Sequence, residues 1–320
     1  MTDAREVLNI DARTVQRLLP FGDLVAALRA AFAAPCVTPA RHLHEVPHEA
    51  GRNTLFLMPA WNDRYMGLKV AVVAPANAQA GLPSLSSTYM LCDKRTGAAL
   101  AIIDGAEITS YRTAAASALA ASFLARRDAA TLLVAGTGRI ASLLPAAYRA
   151  VLPIRRVLVW SRTAQRAVVL CEQLARDGFE CAPCFDLEQG MKVADAVSCA
   201  TQADRIVVQG RWLRPGMFVD LIGSFQPHTR EADDETVKRS KVVVDTEEAL
   251  VKSGDLVVPI REGAWSATNL HATLGDLCKG TIPGRSTAEE IFFFKSVGTA
   301  LEDLAAAQLV YERCPGSHSG

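Results

Sequence analysis

The pattern of hydrophobic and polar positions changes character along the chain. Residues 2–34 carry apolar side chains at helical spacing, and Asp11 is placed to cap the first helix. Residues 40–104 instead contain short apolar segments at 54–58, 66–73, 89–92 and 98–103, separated by prolines and polar turns. These lengths predict β-strands, with a hairpin turn over residues 93–97. The first third of the chain is therefore predicted to be mostly β and not built of βαβ units.

The pattern then becomes helical and afterwards alternates. Residues 108–127 are rich in alanine and predict a helix, which Thr109 or Ser110 can cap. Strand-like runs follow at 131–135, 156–160, 193–200, 217–222 and 241–244, with helical stretches between them, and residues 289–311 predict a long last helix. Alternation of this kind is typical of a doubly wound parallel sheet. The expected fold class is α/β, with a Rossmann-type doubly wound domain and a second, mixed α+β domain.

A glycine-rich turn separates the first of these later strands from its helix. The turn fits the dinucleotide-binding pattern G-x-G-x-x-A, and its residues are Gly136, Thr137, Gly138, Arg139, Ile140 and Ala141. The first glycine permits a tight turn, the second lets the backbone approach a pyrophosphate, and the alanine lets the helix pack close to the strand. The helix N-terminus favours the phosphate charge. We predict a nicotinamide dinucleotide site here.

The end of the second strand bears on which nicotinamide is used. An acid at this place binds the ribose hydroxyls of NAD, whereas an arginine accommodates the additional phosphate of NADP. The chain has no acid there and reads Ser161, Arg162 and Thr163, which we predict to be cofactor contacts. Arg162 can also be an ordinary solvated residue that opens the next helix. NADPH is the expected cofactor, with NADH as the alternative.

Composition narrows the classes of protein that fit. The chain has 320 residues, with 34 basic and 34 acidic side chains, so its balanced charge indicates neither nucleic-acid nor membrane-surface binding. Neither a signal-like start nor a membrane-length apolar run is evident, which suggests a cytoplasmic location. The eight cysteines follow no framework spacing and are interpreted as reduced thiols. The close pair Cys181 and Cys184 lacks the partners of a zinc site, so no metal site is expected.

Three cations in or next to the predicted sheet could bind an anion. Arg41 follows a Pro-Ala turn, Lys69 lies inside an apolar strand, and Arg112 lies at the predicted start of the alanine-rich helix. Two arginines and a lysine would hold a carboxylate well. A lone lysine in such a strand can equally face solvent. His42 and His44 are interpreted as surface or structural residues, and the acidic run 231–235 as a helix start.

Several segments together resemble the ornithine cyclodeaminase/mu-crystallin family. They are residues 57–60, 67–69, 109–115, 136–141, 216–227 and 294–298, followed by Glu302 and Asp303. The resemblance implies a homodimer and two domains: residues 1–113 with 298–320 for substrate binding and dimerisation, and residues 114–297 for the dinucleotide. It also implies that Arg41, Lys69 and Arg112 hold the substrate carboxylate. Thr113, Thr201 and Ser296 are expected near the cofactor.

The chain departs from the cyclodeaminases of this family at two places. Phe225 stands where those enzymes carry a catalytic aspartate, and Phe56 aligns with an acid that contacts the side-chain amine of their substrate. Expulsion of ammonia needs such a proton-transferring carboxylate, so ornithine cyclisation is disfavoured. The chain looks closest to the ketimine reductases, including the bacterial Δ1-pyrroline-2-carboxylate reductases. The expected substrate is a small cyclic imino acid, Δ1-pyrroline-2-carboxylate or Δ1-piperideine-2-carboxylate.

Three alternatives remain open on the sequence. The family also contains alanine dehydrogenase-like enzymes, which need ammonia and an open-chain 2-oxo acid. A cyclodeaminase remains an alternative if another acid replaces the missing aspartate. The third is a mu-crystallin-like protein that binds cofactor and ligand without turnover, although such a protein has no need to keep all three cations.

Overall fold

The computed structural model describes residues 6–49, 51–201 and 205–317. The chain divides into two compact units. The first unit comprises Met1–Arg112 and Thr299–Gly320, and the second unit comprises Thr113–Gly298. No helix in the described part of the chain has the length and apolar character needed to span a bilayer.

The first unit is built on a six-stranded mixed sheet. In chain order its strands are β1 (Leu8–Ile10), β2 (His42–His48), β3 (Gly51–Trp61), β4 (Tyr65–Val73), β5 (Leu85–Asp93) and β6 (Ala99–Asp104). Their spatial order is β1-β6-β5-β4-β3-β2, and all neighbours are antiparallel except β1 and β6. The helices of this unit, numbered along the chain, are α1 (Ala12–Leu18), α2 (Phe21–Ala33) and α11 (Ala300–Arg313). The predicted strands and the hairpin turn over residues 93–97 are confirmed.

Alternation along β4 places one row of side chains under helix α11. Gly67, Lys69 and Ala71 are buried on the face that carries this row, and α11 packs against β3, β4 and β5. Lys69 lies opposite Tyr89 of β5 in the register. A Cβ at Gly67 would collide with the hydroxyl of Tyr89, so the glycine makes room for that ring. The lysine is thus buried and does not face solvent.

Helix α3 (Gly105–Leu124) begins earlier than predicted. Strand β6 runs directly into it, and the Oδ1 of Asp104 accepts a hydrogen bond of 2.8 Å from the backbone N–H of Glu107. Thr109 and Ser110 therefore lie inside the helix and do not cap it. Arg112 lies about two turns from the helix start and not at it, so it is beyond the first turn in which the positive end of the helix dipole acts.

The second unit is a doubly wound parallel sheet of eight strands. In chain order these are β7 (Thr131–Ala135), β8 (Arg156–Trp160), β9 (Glu180–Cys184), β10 (Ala196–Cys199), β11 (Phe218–Leu221), β12 (Lys241–Val244), β13 (Leu270–Thr273) and β14 (Phe292–Lys295). Their spatial order is β13-β12-β14-β11-β10-β7-β8-β9, and every pairing is parallel. The strand order reverses between β7 and β10. Open α/β sheets bind ligands at such a switch point, outside the carboxyl ends of the strands.

Seven helices of the second unit follow α3. They are α4 (Arg139–Arg149), α5 (Ala164–Arg176), α6 (Leu187–Val193), α7 (Asp234–Lys238), α8 (Ala249–Lys252), α9 (Gly254–Arg261) and α10 (Leu274–Lys279). The alternation of strands and helices confirms the predicted α/β class with a Rossmann-type doubly wound domain.

Strand β14 corrects the prediction of one long helix over residues 289–311. Phe292, Phe293 and Phe294 are fully buried, and β14 lies between β11 and β12. A central strand that is covered on both faces reads as a continuous apolar run, which hydrophobic periodicity does not distinguish from a buried helix. The helix itself starts only at Ala300, where the Thr299 side chain accepts a hydrogen bond from the N–H of Leu301.

Candidate active site

The glycine-rich turn has the geometry that its sequence pattern requires. Gly136 has a φ of +124°, and a Cβ there would lie 2.5 Å from the carbonyl oxygen of Ala200 on the neighbouring strand connection. Gly138 starts helix α4, and a Cβ built on it would meet no atom within 4 Å, so the space beside its backbone is open. Among the described residues, no side chain caps this helix. The exposed N–H groups and the open space fit the pyrophosphate of a dinucleotide.

Two other residues of the turn line a groove beside it. Thr137 and Arg139 line a groove of about 310 Å³ together with Ser142 and Arg166 of the following helices. Ile140 and Ala141 both lie in the first turn of α4. Ala141 is fully buried, and its side chain packs beside Gly136. The turn thus opens on a basic groove that could accept an anionic ligand.

Three predicted cofactor contacts lie just beyond the carboxyl end of β8. Ser161, Arg162 and Thr163 follow Trp160, and Arg162 is exposed. The Ser161 hydroxyl accepts a 3.3 Å hydrogen bond from the N–H of Thr163. This segment precedes α5, so the guanidinium is carried on the loop where α/β sheets bind the adenosine ribose.

Thr201 and Ser296 lie at the same edge of the sheet as the glycine turn. Thr201 follows β10 and Ser296 follows β14, and the N–H of Ser296 donates a 3.3 Å hydrogen bond to the carbonyl of Leu221 at the end of β11. Parallel strands present their carboxyl ends on one side, so these residues and Gly136 share that side. Thr113 is buried in α3, directly after Arg112 in the chain.

In the first unit, two of the three predicted cations meet at one carboxylate. The Nζ of Lys69 lies 2.6 Å from the Oδ2 of Asp303, and the Nε of Arg112 lies 2.9 Å from its Oδ1. The Nη1 of Arg112 also donates a 2.6 Å hydrogen bond to the Oε2 of Glu302. Lys69 makes a longer contact of 3.4 Å with the hydroxyl of Thr109. All four charged side chains are buried, with at most 8% of any one exposed.

The charges in this cluster shift each other's pKa values. Burial lowers the pKa of Lys69 to about 8, against the attraction of Asp303, and the charges of Arg112 and Arg41 lower it further. Burial alone would raise the pKa of Asp303, but the charges of Lys69 and Arg112 hold it below its usual value. The cluster is therefore charged at neutral pH, and Arg41 is close enough to act on it.

The charges within the buried cluster balance. Lys69 and Arg112 supply two cations, and Glu302 and Asp303 supply two carboxylates. Arg41 is half-buried, and its charge lowers the pKa of Lys69. Together the three cations carry N–H donors that could hold a carboxylate ligand.

The sequence reasoning gave no role to Glu302, Asp303 or Tyr89. Two acids at the start of a helix ordinarily indicate only a favourable dipole interaction. The hydroxyl of Tyr89 is fully buried and has no hydrogen-bond partner among the described residues. Burial, followed by the charge of Asp303, raises its pKa well above the usual value, so Tyr89 stays protonated. The sequence signal that could have indicated the buried Tyr89 is Gly67, because the missing side chain leaves room for that ring.

The segment that departs from the cyclodeaminases shows no substitute acid. Phe225 is half-exposed in the loop after β11. The next acid, Glu231, is fully buried: its Oε1 accepts hydrogen bonds from the N–H and the hydroxyl of Thr201, and its Oε2 accepts one from the N–H of Gly223. Glu231 is thus not part of a helix start, which is provided instead by Asp233, the residue that caps α7. Both oxygens of this carboxylate therefore accept hydrogen bonds from backbone or hydroxyl groups of the protein.

Comparison with known proteins identifies the family. The sequence profile of the ornithine cyclodeaminase/mu-crystallin family matches residues 10–318. The chain belongs to this family. The resemblance drawn from its motifs is thereby confirmed.

Individual relatives narrow the comparison. A Δ1-pyrroline-2-carboxylate reductase from Paracoccus denitrificans is 39% identical over 297 residues, which is 91% of this chain and 92% of the relative. The structure of the Δ1-pyrroline-2-carboxylate reductase from Thermococcus litoralis, in complex with NADH and L-proline, is 32% identical and superposes with a TM-score of 0.90 over 96% of this chain and 97% of that one. An archaeal alanine dehydrogenase dimer with bound NAD is 29% identical, with a TM-score of 0.88 over 96% of this chain and 95% of that one.

Proposed function

We propose that this protein is an NAD(P)H-dependent oxidoreductase that reduces cyclic ketimine carboxylates. Its substrates are Δ1-pyrroline-2-carboxylate and Δ1-piperideine-2-carboxylate, and its products are L-proline and L-pipecolate. The observation that carries this proposal is the similarity along nearly the whole chain to a reductase whose structure holds NADH and L-proline. The cationic donors of Arg41, Lys69 and Arg112 suit the single carboxylate of these substrates.

In this proposal each unit has its own role. Residues 1–113 with 298–320 bind the substrate, and Arg41, Lys69 and Arg112 hold its carboxylate. Asp303 aligns Lys69 with Arg112, because it pairs with each cation through a different oxygen. Fixing the carboxylate at several donors also fixes which face of the ring is presented, and such orientation lowers the barrier to reaction.

Residues 114–297 bind the cofactor. The turn from Gly136 to Ala141 would hold the pyrophosphate, while Thr113, Thr201 and Ser296 would lie near the nicotinamide. When bound, the reduced nicotinamide supplies a hydride to the imine carbon beside the carboxylate. Lys69 is protonated below about pH 8 and keeps a proton at its Nζ beside the substrate carboxylate. The proton for the ring nitrogen comes from Lys69 or from water.

We further propose a preference for NADPH over NADH. The support is the exposed Arg162 at the end of β8 and the absence of an acid in the Ser161–Thr163 segment. A guanidinium would bind the 2′-phosphate as a charge-assisted, bidentate pair. We also place the enzyme in the cytoplasm, on the irregular spacing of its cysteines.

A homodimer is proposed from the outer face of the first-unit sheet. Leu57, Leu68, Val70 and Met90 share the face opposite Lys69, and each remains half-buried or exposed in the single chain. Contiguous apolar surface on a sheet favours association with a second copy. Sedimentation or light scattering should give twice the chain mass, and Leu68→Glu should give monomers with retained secondary structure. A wild-type monomer would contradict this proposal.

The first experiment compares substrates under one assay. Oxidation of NADPH and NADH is followed with Δ1-pyrroline-2-carboxylate, with pyruvate plus ammonium, and with no second substrate, while ammonia release is measured from ornithine with NAD⁺. Fast oxidation with the imine alone supports the proposal. Faster turnover of pyruvate with ammonium would favour the alanine dehydrogenase-like enzyme, and ammonia release would favour a cyclodeaminase. Cofactor binding without turnover in every arm would favour the binding protein.

A further inference from the structure

The sulfur atoms of two cysteines in the second unit lie close together. The Sγ of Cys181 on β9 donates a hydrogen bond of 2.8 Å to the Sγ of Cys171 on α5. A disulfide bond is about 2.05 Å long, so the two sulfurs need to approach by only about 0.75 Å more. Helix α5 packs against β9, and both thiols are reduced here.

The contact is not the one suggested by the spacing Cys181-Ala182-Pro183-Cys184. Residues three apart on a strand point to opposite faces of the sheet. Cys181 faces α5, whereas the Sγ of Cys184 donates to the carbonyl of Asp186 at 3.0 Å on the other side. The sequence motif therefore contributes one cysteine, and its partner comes from ten positions earlier in the chain.

Access divides the two thiols between two roles. Cys181 is half-buried and reachable from solvent, whereas Cys171 is only 6% exposed. A reagent in solution can therefore reach Cys181 first. Cys171 lies within 2.8 Å of the Cys181 sulfur, so it is the thiol placed to attack that sulfur once the reagent has reacted there.

We propose that Cys171 and Cys181 form a thiol-modification site that closes to an intramolecular disulfide on reaction with a low-molecular-weight disulfide. Cys181 first exchanges with one sulfur of the reagent, releasing one small thiol and forming a mixed disulfide. The Cys171 thiolate then attacks the Cys181 sulfur and releases the second small thiol. Two electrons pass from the pair to the reagent, and the two cysteine protons leave on the two small thiols.

The bond would fasten an edge strand to the helix that covers it. Strand β9 is the last strand of the eight-stranded sheet, with one edge unpaired. Closing a loop of about ten residues restricts the unfolded chain, which should raise the melting temperature by about 5 °C. Neither cysteine belongs to the proposed cofactor or substrate contacts, so turnover of the oxidised enzyme should stay within about twofold of the reduced enzyme.

Peptide mapping by mass spectrometry of the oxidised full-length protein tests the site directly. The reduced protein is incubated with oxidised glutathione, residual thiols are alkylated, and tryptic peptides are mapped. Cleavage at Arg176 separates residues 167–176 from residues 177–192, so the disulfide joins two peptides. Fragmentation of the joined pair assigns the bond to Cys181 or to Cys184. A bond between Cys171 and Cys181 that dithiothreitol reverses is the expected result.

Three serine variants separate the roles. In Cys171→Ser the glutathione adduct should remain on Cys181, because no second thiol can displace it. In Cys181→Ser the buried Cys171 should stay unmodified, and the Cys184→Ser control should still form the bond. A bond from Cys184, a persistent adduct on wild-type Cys181, or no linked peptide would each overturn the proposal.

Discussion

Replacing Lys69 by methionine tests whether the buried cluster acts through its charge. Methionine has a similar length and apolar stem, so the change removes the ammonium with little loss of packing. The variant lowers the charge of the cluster by one unit. Two unit charges about 5 Å apart at an effective dielectric of about 20 attract by about 3 kcal/mol, a factor of about 10² in binding. The KM for Δ1-pyrroline-2-carboxylate should rise by about this factor.

A second variant predicts the opposite sign at the same cluster. Glu302→Gln keeps an oxygen that can accept from the Nη1 of Arg112 but raises the cluster charge by one unit. The KM for the imine should therefore stay the same or fall. Lys94→Met, which changes an exposed lysine of the first unit, is the matched control and should leave KM unchanged.

Initial rates of NADPH or NADH oxidation give KM and kcat, and cofactor fluorescence gives the dissociation constant of the nicotinamide. Lys69→Met should bind the cofactor within about twofold of wild type. Thermal unfolding must show a folded variant, because removal of one partner from a buried ion pair destabilises by about 3–5 kcal/mol. A folded Lys69→Met enzyme with an unchanged KM, or an equal rise of KM in both variants, would refute the charge argument.

The same reasoning predicts a pH dependence. Because burial lowers the pKa of Lys69 to about 8, the free enzyme loses this cation as the pH rises through that value. The kcat/KM for the imine should therefore fall above about pH 8. Lys69→Met should lack this alkaline limb, and its persistence in the variant would assign the limb to another group.

Three further predictions concern the second unit. Arg162→Ala should weaken NADPH binding at least about tenfold more than NADH binding, as measured by fluorescence titration, whereas equal effects would remove the basis for the NADPH preference. Gly136→Ala should lower the melting temperature, because its φ of +124° and its contact with Ala200 exclude a side chain, while the control Gly138→Ala should melt normally but bind cofactor more weakly. Burial raises the pKa of Glu231 from 4.5 to about 7, so the folded state binds more protons than the unfolded state between these values. The free energy of unfolding should then fall by about 3 kcal/mol as the pH rises from about 4.5 to 7, and urea titrations of Glu231→Gln should show a flatter profile.

The sequence predicted those parts of the fold that depend on local spacing. The turn from Gly136 to Ala141 lies between a strand and a helix, as its pattern required. The same is true of the strands of the first unit, which lie where short apolar segments bounded by turn residues predicted them. Local patterns were insufficient at β14, where Phe292–Lys295 was assigned to a helix. A fully buried run has no polar face, so its period carries no information.

For the candidate site, sequence reasoning selected cations and missed the acids that hold them. Arg112 and Asp303 are separated by 191 positions in the chain, yet a hydrogen bond of 2.9 Å joins them. An acid at a helix start looks the same in the sequence whether it faces solvent or a buried arginine. Glu231 was missed for the same reason, since it belonged to an acidic run that ordinarily begins a helix.

The sequence by itself determined the family, the class of fold and the place of the glycine-rich turn, because backbone geometry and side-chain period are set by neighbours in the chain. Only the tertiary structure decided which charges neutralise each other, with Asp303 between Lys69 and Arg112. It also decided that Cys181 meets Cys171 rather than Cys184. Such pairings depend on which faces of the elements pack together. Charges and thiols that are removed from water interact strongly with the groups that packing places beside them, because the protein interior screens these interactions less than water does.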